Sequence, residues 1–284
     1  MTEEQHGRMP TGTVSVTSGA ATHVGSVRET NEDSLLVAPP LYMVADGMGG
    51  HEAGEVASAI AVEEFGRLEG ATELRIEDLG VALRRAEARI DAIGTAGLLS
   101  AGTTVALVGT MVLDDVGYWV VMNLGDSRVY RLSRDAFEQV SVDHSVVQEL
   151  VDAGEITPAE ARVHPYRNMI TRALGAGPQS DPDYWLIPGE VGDRMLVCSD
   201  GLTGEVEDAA IERVLRRGGT PQEACEELVG LALAEGAHDN VTVVVVEATD
   251  IAGAIDLDAT DPRRPVLSDP AHEDTLPRHA GGIA

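Results

Sequence analysis

The sequence contains no lysine: all 20 of its basic residues are arginines. That single absence removes the lysine of a phosphate-cradling P-loop, the Schiff-base lysine and the lysine of protein kinases. Cysteine is nearly as scarce. Cys198 and Cys225 are too few for a zinc ribbon, and neither is followed at the spacing a cysteine phosphatase needs by an arginine. A reduced pair is the expectation. Aromatic residues make up only 3% of a chain that is 43% hydrophobic, so the core must be built from Val, Leu, Ile and Ala. Long apolar runs are missing too. The longest, Val241 to Val246 with Thr242 inside it, is strand-length and excludes a membrane-spanning helix there. Positive charge is in shortest supply: 48 acidic residues stand against 20 basic ones, for a net charge of −28. Such a balance weighs against nucleic acid and anionic membrane as partners. No signal peptide precedes Met9, and a cytoplasmic location is the expectation.

What is present reads as an α+β chain with one large domain over residues 13–248. A polar N-terminus, 1–12, and an acidic tail rich in Asp, Pro, Ala and Gly, 249–284, are expected to be disordered. Thr13 to Thr17 alternates like a half-buried strand, and Ser34 to Val37 and Leu41 to Ala45 flank Pro39-Pro40 like a hairpin. Two helices follow near 52–68 and 76–94, the second with Leu79, Leu83, Ala86 and Ile90 on one stripe. The strands 102–113, 117–124 and 127–132 are joined by short turns, which predicts antiparallel pairing of each with the next. A polar excursion over 143–175 interrupts them. Strands at 183–187 and 194–198, helices near 206–217 and 221–235, and a strand at 241–247 complete the domain.

Four carboxylates share a local grammar. Asp46, Asp126, Asp200 and Asp239 each stand where an apolar strand begins or ends, beside Gly or Asn. At one end of a sheet core they would converge on one cleft, where two such charges about 4 Å apart repel by roughly 4 kcal/mol. Divalent cations would relieve that. Oxygen ligands without cysteine or clustered histidine favour Mg2+ or Mn2+ over Zn2+. Arg28 is the nearby cation whose planar fork suits a phosphate. Hard metals, a bridging carboxylate and an arginine together describe metal-assisted hydrolysis of a phosphoester.

Six segments, in order, carry a family resemblance: Arg28 to Asp33, Val44 to His51, Gly102-Thr103-Thr104, Gly125 to Arg128, Ser199 to Leu202 and Asp239 to Thr242. The chain resembles the metal-dependent serine/threonine protein phosphatases of the PPM family, type 2C class, in their bacterial form. The resemblance implies a four-layer αββα sandwich of two antiparallel sheets flanked by helices. It also implies hydrolysis of phosphoserine and phosphothreonine by a metal-activated water at a dinuclear Mg2+ or Mn2+ site, without a phosphoenzyme. By position, Asp46 would bridge the metals, Gly47 would offer its carbonyl, and Asp200 and Asp239 would complete the ligands. Glu32 and Asp33 would hold metal-bound waters, Arg28 the substrate phosphate, and Asp126 with Asp200 a third metal. The 143–175 stretch corresponds to a flap beside the cleft. Expected partners are proteins phosphorylated on Ser or Thr, and a cognate Ser/Thr kinase, acting on a monomer.

Met48 departs from the animal members, which have a histidine there proposed as general acid; methionine has no proton to give. His51 is read as a cap or orienting group for the first helix, and His144 and His164 as residues that position the flap. Two decoys fall in the tail: Asp256 to Thr260, spaced like an aspartyl-phosphate motif, and Asp269 with His272, which would complete a serine-esterase set with Ser127.

Overall fold

A computed structural model describes residues 14–49, 53–95, 101–177 and 181–251. The chain divides into a unit of residues 1–254 and a second of 255–284, and the second lies outside the described residues. So do the N-terminal 1–12, His51 and both tail decoys.

Two sheets form from strands whose neighbours are all antiparallel. One contains β1 (Val14–His23), β11 (Val241–Ile251), β10 (Arg194–Cys198), β7 (Arg128–Leu132) and β8 (Phe137–Gln139), in that order. The other runs β2 (Asp33–Ala38), β3 (Leu41–Met48), β5 (Val105–Leu113), β6 (Val116–Leu124), β9 (Asp183–Pro188), with the two-residue β4 (Gly102–Thr103) added to β3. Between the sheets lies a layer of Val44, Val108, Val121, Val197 and Val244, with Trp119 as its bulkiest member. Trp119 is fully buried and donates its indole N–H to Asp193 at 3.0 Å. A second layer packs α1 (Ala53–Gly66) and α2 (Ile76–Thr95) on the β2–β9 sheet, and the stripe Leu79, Leu83, Ala86 and Ile90 is buried in it as its spacing predicts. A third packs α6 (Asp208–Arg216) and α7 (Pro221–Glu235) on the other sheet. The four-layer αββα sandwich follows from these three apolar seams.

Helix ends are written in the sequence. Thr220 caps α7 by accepting from the Glu223 N–H while Glu223 reaches back to the Thr220 N–H. Pro221 takes the first position, where no N–H is needed. The same box, Thr157 with Glu160, starts the short α4 (Pro158–Ala161), which with α3 (Val146–Asp152) forms the excursion between β8 and β9.

Three expectations change. Strands β6 and β7 do not pair with each other; the turn at 125–127 carries the chain from one sheet to the other, and β7 pairs with β10. The ordered part continues past 248, because β11 extends to Ile251, which pairs with Val14 and is buried. The first strand continues to His23, its Gly19, Ala20 and Ala21 lying against Val245, Val244 and Val243 of β11. The expected strand 102–113 is split into β4 and β5, and the short β8 and α5 (Asp200–Thr203) were not expected from the sequence, being too brief to show a period.

Candidate metal centre

Each time the chain ends a strand or crosses between the sheets at one end of the sandwich, it leaves a carboxylate there. Asp33 opens β2 and lies directly opposite Asp46 in β3. Asp126 sits in the β6–β7 crossing, Asp200 follows β10, and Asp239 precedes β11. Adjacent strand ends bring them together. Position 198 pairs with both 128 and 243, so the chain just beyond each belongs to the same rim.

The backbone that holds them is tightly specified. Asp46 donates its backbone N–H to the Thr104 hydroxyl oxygen at 3.0 Å, and its carbonyl accepts from the Thr104 N–H at 2.9 Å and the Thr103 hydroxyl at 3.0 Å. Gly47 must be glycine because α1 approaches so closely that any Cβ would run into the Gly54 carbonyl. Asn240 ties the Arg28 loop to the centre: its side-chain oxygen accepts from the Glu32 N–H at 2.9 Å, and its amide donates to the carbonyls of Val24 and Thr30 at 2.9 and 3.0 Å. The Ser199 hydroxyl donates to Asp33 Oδ2 at 2.9 Å and accepts from the Thr242 N–H at 3.0 Å. Thr104, Ser199 and Asn240 lie inside the six quoted segments, yet the sequence assigned them no role. Their signal was adjacency to the aspartates.

The electrostatics are those of charge crowding. Burial pushes Asp46 well above the usual carboxylate range, and Asp33, Asp200, Asp126 and Asp239 add to it. Burial first, then Asp200 and Asp143, raises Asp126 well above its ordinary value. Asp200 is raised by burial and by Asp239, against a hydrogen bond from Asp46. Asp33 is pushed up to about 6, mainly by burial, with the hydroxyls of Thr242 and Ser199 pulling the other way. All four keep a partial opening to solvent although protein atoms surround them. Arg28 turns inward and pairs with Asp239 at 2.6 Å, both groups still well exposed. Glu32 stands beside Arg28, Asp239 and Glu55, and burial raises it.

These residues fit a hard divalent cation. All donors are oxygens, and Asp33 Oδ1 is buried without a hydrogen-bond partner. Burial raises both Asp46 and Asp200, and a cation between them would relieve the cost of ionising the two together. Among the described residues no group of three or more His, Cys, Asp or Glu side chains is placed so that it could hold a metal ion as it stands.

Beside the cluster a cavity of about 360 Å3 opens between the 143–175 excursion and α5, with Asp126 and Asp200 on its wall. Arg128 faces it, held on Asp143 through both Nε (2.9 Å) and Nη2 (2.7 Å), and Arg162 and Arg167 line the excursion side. His144 is buried and is kept neutral near pH 7, since burial lowers its pKa. His164 is half-buried and meets the Tyr166 ring edge-on. Cys198 is an inert buried thiol, its pKa pushed up to about 12 by burial.

The family model for protein phosphatase 2C matches residues 26–230. The chain belongs to the protein phosphatase 2C family. It is 36% identical over 236 residues to the serine/threonine phosphatase stp of Listeria innocua, covering 78% of this chain and 92% of that protein. Its fold superposes on the serine/threonine phosphatase PstP/Ppp of Mycobacterium tuberculosis with a TM-score of 0.77 at 36% identity, over 83% of this chain and 99% of that one. A structure of the PstP catalytic domain in complex with two manganese ions matches with a TM-score of 0.76 at 35% identity, over 84% and 100%. Among the described residues of this 2C member, no helix is long and apolar enough to cross a membrane.

Proposed function

We propose that this protein phosphatase hydrolyses phosphoserine and phosphothreonine in proteins at the carboxylate centre, with Asp46, the Gly47 carbonyl, Asp200 and Asp239 holding two Mn2+ or Mg2+ ions. Asp126 with Asp200 would hold a third, and Asp33 and Glu32 would bind waters at its edge. The observation that carries this is the convergence of Asp33, Asp46, Asp126 and Asp200 at one rim, each raised first by burial and then by a neighbouring carboxylate, with Arg28 and Asp239 paired beside them. The manganese complex of the PstP catalytic domain supports the same reading. When bound, the ions supply Lewis acidity: they neutralise phosphate charge and lower the pKa of a water.

The chain's own residues do the rest. Arg28 leaves Asp239 and offers its planar fork to two phosphate oxygens, fixing the ester in the cleft. Asp239 is thereby freed to turn inward. The Asp33–Ser199–Thr242 hydrogen bonds and the Thr104 clasp on Asp46 keep the donors in place without reorganisation during the reaction. Met48 carries no proton, so protonation of the departing serine or threonine oxygen falls to solvent. Substrates are proteins phosphorylated on Ser or Thr, and reversal of a cognate Ser/Thr kinase by a cytoplasmic monomer is the role that fits.

The test is hydrolysis of a chromogenic phosphate ester and of a phosphothreonine peptide, with Mn2+ and then with chelator. Turnover should vanish with chelator and in Asp46→Ala or Asp239→Ala. Undiminished activity after thorough chelation would overturn the reading.

A further inference from the structure

We propose that His144 is a positioning residue that fixes Asp126 by gripping the backbone of the residue before it; the proposal rests on the reading of Asp126 as a metal-facing carboxylate. The residue acts through backbone. Gly125 donates its N–H to His144 Nδ1 at 3.1 Å, and its carbonyl accepts from the His144 backbone N–H at 2.9 Å. One residue therefore holds both polar groups of Gly125. The glycine cannot be replaced to stiffen the turn by other means, because its φ is +119° and a Cβ would meet the Thr104 side chain at 2.6 Å.

Chemistry fixes the tautomer. Since Nδ1 accepts a hydrogen bond, the ring hydrogen is on Nε2, and it is donated to Asp183 Oδ2 at 3.1 Å. Asp183 is in turn approached by Arg172 Nη1 at 3.4 Å. Both ring nitrogens are thus engaged, which leaves the ring no free nitrogen to act as a ligand or a base. The His144 carbonyl accepts from the Thr171 N–H at 2.8 Å, and the neighbouring Ser145 bridges Ile170. His144 therefore stands where the 143–175 excursion leaves the sandwich and returns to it. Asp126 needs such a brace, since Asp200 and Asp143 both repel it.

Two amide substitutions separate the contacts. The side-chain oxygen of asparagine can take the place of Nδ1, and the terminal nitrogen of glutamine the place of Nε2. His144→Asn keeps the Gly125 contact, and His144→Gln keeps only the Asp183 contact. Mn2+ binding to the intact chain would be measured by titration calorimetry for the wild type, both variants, Asp183→Ala and Asp126→Asn. Residues that orient metal ligands typically change affinity by about 10–100-fold. The expectation is a loss of that size in His144→Gln, confined to the Mn2+ ion that Asp126→Asn also weakens, and recovery to within a few-fold of wild type in His144→Asn. Asp183 is on the half-exposed rim, so Asp183→Ala reports on the same relay with little risk to folding. It should weaken that ion by no more than the few-fold allowed to His144→Asn, which lacks the same contact, at an unchanged melting temperature. Wild-type Mn2+ binding in both His144→Gln and Asp183→Ala, with Asp126→Asn weakened, would overturn the role of His144 alone. Equal losses in the Asn and Gln variants would do so too. Wild-type Mn2+ binding in Asp126→Asn would instead remove the metal reading of Asp126 and the proposal with it.

Discussion

Asp33→Asn should stabilise the metal-free protein, and the gain should grow with pH. Asp33 is held at about 6 against an ordinary 3.8, chiefly because it is buried. A carboxylate raised in this way keeps its proton longer in the folded chain than in the unfolded one. The folded state then binds more protons between the two values, so stability falls as pH rises through that window. Each pKa unit is worth about 1.4 kcal/mol. The full penalty is therefore about 3 kcal/mol above pH 7, and about half of it is already present at pH 5. Asparagine removes the charge and keeps an oxygen for the Ser199 and Thr242 hydroxyls. Its advantage over wild type should roughly double between pH 5 and pH 7, to a ceiling of about 3 kcal/mol because neighbouring aspartates share the proton. For a domain of this size that is at most about 6–12 °C in melting temperature.

The assay is thermal melting in chelator at pH 5, 6, 7 and 8 for both proteins, repeated in Mn2+. Taking the difference between the proteins matters. His144 is lowered by burial, so its contribution is lost as pH falls, opposite in sign to that of Asp33. It is present in both chains and cancels. With Mn2+ the wild type should gain more than the variant, since ligand binding to the folded state alone adds about 2.7 kcal/mol at a hundredfold excess over Kd. An advantage that is absent, or that shrinks from pH 5 to pH 7, would show that Asp33 is satisfied where it stands and refute the charge-crowding argument.

Arg28→Ala should lower kcat/KM on a phosphopeptide by about tenfold to a hundredfold, the scale of one lost charge-assisted pair, while Mn2+ affinity stays equal or tightens because the competing partner of Asp239 is gone; weaker Mn2+ binding in a calorimetric titration would contradict this. Asp193→Ala should cost about 3–5 kcal/mol in denaturant unfolding, since it removes the closest partner of the largely buried Arg131, leaving it Glu190 at 3.4 Å, and leaves the Trp119 N–H unpaired; a loss below about 1 kcal/mol would mean that the site relaxes. Leu107→Ala, at a fully buried position of β5, should cost about 2–5 kcal/mol by the same measurement without altering Mn2+ dependence.

The layers and the candidate centre were legible for one reason: both depend on period and punctuation. The stripe on α2 announced a packed face, and each aspartate beside glycine or asparagine announced a strand that stops. Sheet membership was not legible. A short link such as 125–127 normally signals a hairpin, and nothing in its residues tells a turn within a sheet from a step between sheets. The step is decided by packing: the inward faces of β6 and β7 both contribute to the layer between the sheets, Val121 from one and Val129 from the other. Had β6 and β7 paired as neighbours, those two side chains would share one sheet face and leave the opposite sheet short of a strand. The same crossing puts Asp126 on the rim that Asp46 and Asp200 occupy, which a hairpin within one sheet gives no reason to expect. Closing the sandwich and assembling the centre are one event at this turn, and the Gly125–His144 clasp is where the two demands meet.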